Sequence, residues 1–129
     1  MPVSQDDFRR ALSCFASGVN VVTTIDAEGE LHGLTVSAFC SVSLAPPLVL
    51  ICIEKTTASH FAFRESRAFV VNILNEAQAN LSEHFATPFR DKFSKVPYRR
   101  GLEGNPVLQD TLCNLECRIK HDFDGGHHS

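Results

Sequence analysis

Apolar and polar positions fall in short blocks along the chain, and each block carries the period of one element. Ser4 stands as an N-cap, and Phe8, Ala11, Leu12 and Phe15 follow at helical spacing until Gly18, which predicts a first helix. Val19 to Ile25 is β-branched and reads as a strand. Asp26-Ala27-Glu28-Gly29 is a turn signal, so a hairpin into Leu31 to Val36 is expected. Phe39 to Leu44 reads as a third strand, and Ala45-Pro46-Pro47 breaks the pattern. Leu48 to Ile53 is nearly all apolar, as expected of a strand buried on both faces.

In the second half, Lys55-Thr56-Thr57-Ala58-Ser59 opens a short helix through Arg64, and Ala68 to Leu74 is another apolar strand. Asn75 and Gln78 have the spacing of a capping box and launch a helix to about Phe85. Residues 86–106 carry charges, prolines and glycines and read as one long loop, a length that marks functional lids or binding segments. Leu115 to Lys120 is the last expected strand, and a polar loop runs from His121 to Ser129. Short strands joined by turns, with helices that do not alternate with them, disfavour a doubly wound sheet. A mainly β fold with peripheral helices, an antiparallel barrel, is the expected architecture.

Bulk properties narrow the classes. The 129 residues suit one domain, residues 1–129, with an apolar fraction of 43% and a charged fraction of 21%. The net charge of −3 gives no reason to expect nucleic acid or an anionic membrane as partner. No apolar run reaches the roughly 20 residues of a membrane helix. The start, MPVSQDDFRR, has no apolar signal-peptide stretch, so a cytoplasmic location is expected. The five cysteines, Cys14, Cys40, Cys52, Cys113 and Cys117, are odd in number and set in apolar segments, which reads as five small core residues rather than a disulfide framework.

Three segments carry candidate chemistry. In Gly33 to Ser43, hydroxyl residues (Thr35, Ser37, Ser41, Ser43) are interleaved with apolar ones, which suits a flat heteroaromatic needing an apolar floor and a few directed donors. The plainer alternative is a strand with its hydroxyls on the wet side. In Lys55 to His60, a lysine and hydroxyls meet a helix N-terminus, the chemistry of a phosphate site; the alternative is a Thr cap beside a solvated lysine. In His121 to His128, five metal-capable side chains (His121, Asp122, Asp124, His127, His128) lie close together, but Gly125-Gly126 makes the loop pliable and the full ligand spacing of an EF-hand is absent. A histidine beside a bound nucleotide is the favoured reading there, with no metal. There is no GxGxxG after a strand, no GxSxG and no GK[ST] loop.

Together these segments resemble the short-chain flavin reductases, which have the FMN-binding split-barrel fold and supply reduced flavin to two-component monooxygenases. The similarity runs through Phe8-Arg9-Arg10-Ala11, Phe15-Ala16-Ser17-Gly18-Val19 and Val21-Val22-Thr23-Thr24. It continues through His32-Gly33-Leu34-Thr35-Val36-Ser37-Ala38-Phe39, Ser41-Val42-Ser43 and Pro46-Pro47-Leu48-Val49. Phe69 to Leu74, Leu81 to Ala86, Gly104 to Leu108 and the glycine-histidine loop complete it.

The resemblance implies an antiparallel Greek-key split β-barrel and an NAD(P)H:flavin oxidoreductase, with FMN or FAD reduced by NADH or NADPH. It implies that Thr35, Val36, Ser37 and Ala38 line the flavin ring with Ser41 close by. Lys55, Thr56, Thr57 and Ser59 form the phosphate end, and Phe85 and Ala86 add a further contact. Gly126 and His128 lie near the nicotinamide, although His127 stands where the family usually has Asp. No catalytic side chain is expected, because hydride transfer rests on positioning. The family continues past this loop with further strands, so the chain is expected to lack C-terminal strands of its barrel. A partner oxygenase and a homodimer are implied as well. The alternative on the same fold is a non-catalytic flavin carrier.

Overall fold

The computed structural model describes residues 4–7, 9, 20–36, 39–53, 60–87 and 92–120, and of Phe39, Ser41 and His60 the backbone alone. Eight strands dominate: β1 (Asn20–Ile25), β2 (Leu31–Val36), β3 (Phe39–Leu44), β4 (Pro47–Ile51), β5 (Ala68–Ile73), β6 (Tyr98–Arg100), β7 (Pro106–Leu108) and β8 (Cys113–Arg118). Helix α1 (His60–Glu65) precedes β5, and a 3-10 turn (Glu76–Gln78) leads into α2 (Ala79–Phe85). The strands form an antiparallel four-stranded sheet, β2-β1-β5-β8, and two antiparallel pairs, β3-β4 and β6-β7.

Local signals explain most boundaries. Ser4 Oγ accepts the Asp7 N–H at 3.1 Å, the expected N-cap; the remainder of that helix, from Phe8 to Gly18, falls almost wholly outside the described residues. The β1-β2 hairpin turns at Asp26–Gly29. Asp26 Oδ1 accepts the N–H groups of Glu28 and Glu30, both at 2.9 Å, and Gly29 takes φ +88°. The capping box forms as the spacing predicts: Asn75 accepts the Ala77 N–H at 2.8 Å, and Gln78 Oε1 accepts the Asn75 N–H at 2.9 Å.

Strand periodicity gives the central sheet two buried faces. Val22, Leu34, Val36, Phe69, Val71 and Ile73 share one face and pack with Ile53 and Phe63, against Val49 and Ile51 of β4. Val21 belongs to the other face, where it clusters with Leu74, Phe85, Phe93, Val96 and Leu108. That second face also encloses a polar knot. Asn72 is fully buried in the middle of β5; its amide nitrogen donates to Val21 O at 2.9 Å and Thr23 Oγ1 at 3.0 Å. Its Oδ1 accepts the Leu108 N–H at 3.0 Å and Asn114 Nδ2 at 2.8 Å. Every hydrogen-bonding atom of this buried amide has a partner, so burial costs little and the knot ties β1, β5, β7 and β8 together.

Four expectations need correction. The apolar block at 48–53 is not buried on both faces: β4 is mostly half-buried and Leu50 is 45% exposed, because β3-β4 is a pair of its own with one face uncovered among the described residues. The expected loop 86–106 contains β6 and leads directly into β7, joined through Gly104 at φ +82°. The last strand begins at Cys113 rather than Leu115, in register with Ile73, and ends at Arg118. The cysteines are not uniformly core: Cys40 is exposed and Cys52, Cys113 and Cys117 are half-buried, none of them in a disulfide, while Cys14 lies outside the described residues. Among the described residues no helix is long and apolar enough to cross a membrane.

Candidate flavin site

Two of the expected flavin segments, β2 and the C-terminal end of α2, meet in one seam. Gly33 makes their approach possible: a Cβ there would stand 2.6 and 2.7 Å from the Phe85 ring and 3.2 Å from Phe93. One residue pair along, Thr35 Oγ1 donates to Ser82 O at 2.6 Å. Beneath them Lys92, 8% exposed, donates from Nζ to Gly33 O and to Phe85 O, both at 2.9 Å. Burial pushes the Lys92 ammonium below the ordinary lysine range. The Lys92 carbonyl in turn lies 2.7 Å from His84 Nε2, and Thr87 Oγ1 caps His84 O at 2.7 Å. The seam is thus tied at four points along a single helical turn.

The side chains of Thr35, Val36 and Phe85 are engaged within the fold itself. The Thr35 hydroxyl is already committed to Ser82, the Val36 side chain is buried in the first core cluster, and the Phe85 ring is fully buried in the second. What these positions offer a ligand is main chain and shape, not free side-chain donors. Ala86 is exposed just past α2, with its N–H turned back onto Ser82 O and Glu83 O. Ser41 sits on β3 at a register irregularity between Ser41 and Ser43. Ser37, Ala38, Lys55, Thr56, Thr57, Ser59, Gly126 and His128 lie outside the described residues, as does the whole His121–Ser129 loop with its metal-capable side chains.

The structure adds two residues that sequence reasoning missed. Lys92 is one: a lysine in a charged stretch reads as solvated, and only its following phenylalanine hints at burial. Asn20 is the other. It opens β1 opposite Val36 on one side and Ile73 on the other, and it is 2% exposed. Its Oδ1 is buried with no hydrogen-bond partner among the described residues. A polar residue in a β-branched run was the signal. An orphaned buried acceptor costs about 1–3 kcal/mol, which is the kind of deficit a ligand donor relieves.

Elsewhere, Asp26, Glu30 and His32 bring their ligand atoms within 4.8 Å of one another. Both Asp26 oxygens serve the hairpin, however: Oδ1 holds the turn and Oδ2 lies 2.9 Å from His32 Nε2. The His32 hydrogen bond, with the Glu30 and Glu28 N–H groups, holds the Asp26 carboxyl below its ordinary range. A cavity of about 320 Å³ opens beside β8, lined by Phe69, Leu102, Glu103, Glu116, Cys117 and Arg118 among others. It involves none of the seam residues, so its size does not mark it as the flavin site.

Comparison with known proteins shows the family of the chain. Residues 12–129 match the flavin reductase like domain. The reductase component of a 4-nitrophenol 4-monooxygenase/4-nitrocatechol 2-monooxygenase from Rhodococcus opacus is 41% identical over 127 residues, 98% of this chain and 68% of that protein. A flavin reductase (NADH) from Kitasatospora aureofaciens is 40% identical over 129 residues and is matched over 68% of its length. The solved NADH:FAD oxidoreductase of Streptomyces globisporus superposes with a TM-score of 0.79 at 35% identity, covering 99% of this chain and 79% of that one. The antiparallel sheets are those of its split barrel. On the match to the domain and to these relatives, the chain belongs to the flavin reductase family of split-barrel oxidoreductases.

Proposed function

We propose that this chain reduces free FMN or FAD with NADH or NADPH and passes the reduced flavin to a partner oxygenase. The flavin supplies the redox chemistry: its ring accepts the hydride that the nicotinamide gives up. The chain's own work is to bind, orient and exclude water. Thr35 and Val36 of β2, together with Ser37, Ala38 and Ser41, are assigned the ring. Lys55, Thr56, Thr57 and Ser59 are assigned the phosphate, and the Phe85-Ala86 turn a further edge. Gly126 and His128 are assigned the nicotinamide, as positioning groups rather than acid or base.

The observation that carries this reading is the seam itself, closed to a Cβ at Gly33. Separately, Asn20, paired with Val36 across β1-β2, buries an Oδ1 that has no hydrogen-bond partner among the described residues, and the N–H of an oxidised flavin ring fits such an acceptor. A seam of main-chain groups with few free charges also suits weak, exchangeable binding, as a diffusing product requires.

A homodimer is part of the proposal. The β3-β4 pair leaves Val42 59% and Leu50 45% exposed beside Cys40, an apolar face that a second copy would cover. A cytoplasmic setting fits cysteines outside any disulfide and a nicotinamide reductant. The test is steady-state consumption of NADH, then NADPH, at rising concentrations of free FMN or FAD. Consumption that saturates with free flavin is expected. Flavin binding without consumption would make the chain a carrier.

A further inference from the structure

We propose that Lys92 is a positioning residue for flavin binding, the pin that holds β2 and the end of α2 at the spacing the ring requires. This rests on the reading of the seam as the flavin site. Lys92 is separated from Gly33 by 59 positions, yet its Nζ reaches Gly33 O and Phe85 O at 2.9 Å each. Those two carbonyls belong to the two segments that carry the proposed ring contacts, Gly33 lying two residues before Thr35 and Phe85 directly before Ala86. Among the described residues the ammonium's hydrogen-bond partners are main-chain oxygens alone. Burying an ammonium against two neutral carbonyls is an expensive way to join two segments, and an apolar side chain would fill the same space at lower cost. What the apolar side chain lacks is direction.

The ammonium fixes both carbonyls by hydrogen bonds, at the one place where Gly33 leaves no slack between strand and helix. It also sits at the carbonyl end of α2, where a positive charge complements the helix dipole. The opposite side of the joint is held by Thr35 Oγ1 on Ser82 O, so the two ties flank the seam. Lys92 meets the proposed binding segments only through the main-chain oxygens of Gly33 and Phe85, which makes its role one of spacing and orientation.

The experiment compares Lys92→Met and Lys92→Arg with the parent chain, reading KM for free FMN, KM for NADH, kcat and thermal unfolding. Met keeps the volume and removes both bonds; Arg keeps the charge but cannot set one nitrogen between both carbonyls. K92M is expected to raise the flavin KM roughly tenfold, as loss of a charge-assisted hydrogen bond to the frame would, with kcat and the NADH KM within about threefold. K92R is expected to fall between K92M and the parent. Adding Thr35→Val to K92M should raise the flavin KM by less than the product of the two single effects, because both ties serve one joint. A folded K92M or K92R with unchanged flavin KM overturns the proposal. So does failure of both variants to fold, since Lys92 would then be a pillar of the fold and nothing more. A parent chain that neither binds nor reduces flavin would instead remove the functional reading, before any variant is compared.

Discussion

The central sheet and the β3-β4 hairpin are built from similar residues and have opposite fates. In β5 the run Ala68–Ile73 is buried at every position, and the one amide inside it, Asn72, has a partner for each polar atom. In β3-β4 an equally apolar run leaves Leu50 and Val42 in solvent. The difference lies outside the strands. One sheet has a neighbour on both faces, from α2 and β6-β7 on one side and β4 and α1 on the other; among the described residues the hairpin has a neighbour on one face only. Apolar composition sets the capacity for burial, and the covering element decides whether it is realised.

The contrast can be broken first at Asn72. Asn72→Leu strands the Leu108 N–H and the Asn114 amide inside the second core face, and a loss of about 3 kcal/mol in stability is expected by urea unfolding. Gly33→Ala presses a methyl onto the Phe85 ring; overpacking of this kind should cost about 2 kcal/mol and weaken flavin binding, checked by thermal unfolding and by quenching of flavin fluorescence. On the hairpin the sign of the effect changes. Leu50→Ser should alter the unfolding free energy of the isolated chain by less than about 0.5 kcal/mol, while sedimentation shows a dimer shifted to monomer if a second copy covers that face.

Thiol labelling sharpens the same comparison without a large change in stability. Cys40, exposed on the hairpin, should react first with a maleimide at neutral pH. Cys117, on β8 of the central sheet, should react last, because burial and the Glu116 charge push its thiol up to about 12. The smallest effect belongs to the β1-β2 turn. The Asp26 carboxyl is held below its ordinary value of 3.8, so its contribution to stability is complete above that value. The contribution is lost as pH falls through the lower folded value, since the unfolded chain takes up the proton first. Asp26→Asn should flatten that acid limb in a pH series of thermal unfolding and leave the neutral range less affected.

Local chemistry made part of this fold legible. Asp26–Gly29 announced its hairpin and Asn75 with Gln78 its helix start, because both signals act over a few residues of chain. The β6-β7 pair was hidden: its strands are three residues each, too short for a period to emerge, and prolines and glycines around them read as loop. The seam was half legible. Thr35 and Phe85 stood out by resemblance, but the commitment of the Thr35 hydroxyl to Ser82 and of the Phe85 ring to the core depends on partners 47 residues away or across the sheet. Lys92 was the least legible of all. It stands in a charged stretch with only Phe93 beside it as an apolar hint, and its burial follows from where β2 and α2 happen to meet.

The central claim is that this chain carries hydride from a reduced nicotinamide to a flavin it holds only loosely. The most direct measurement is an anaerobic single turnover: chain, free FMN and NADH are mixed, and the flavin absorbance is followed with ordinary NADH and with NADH deuterated at the transferred position. The account predicts bleaching that scales with the amount of chain, is slowed by the deuterium, and leaves reduced flavin free to filter away from the protein. Flavin whose fluorescence is quenched on binding, yet which bleaches no faster than in buffer, would contradict it.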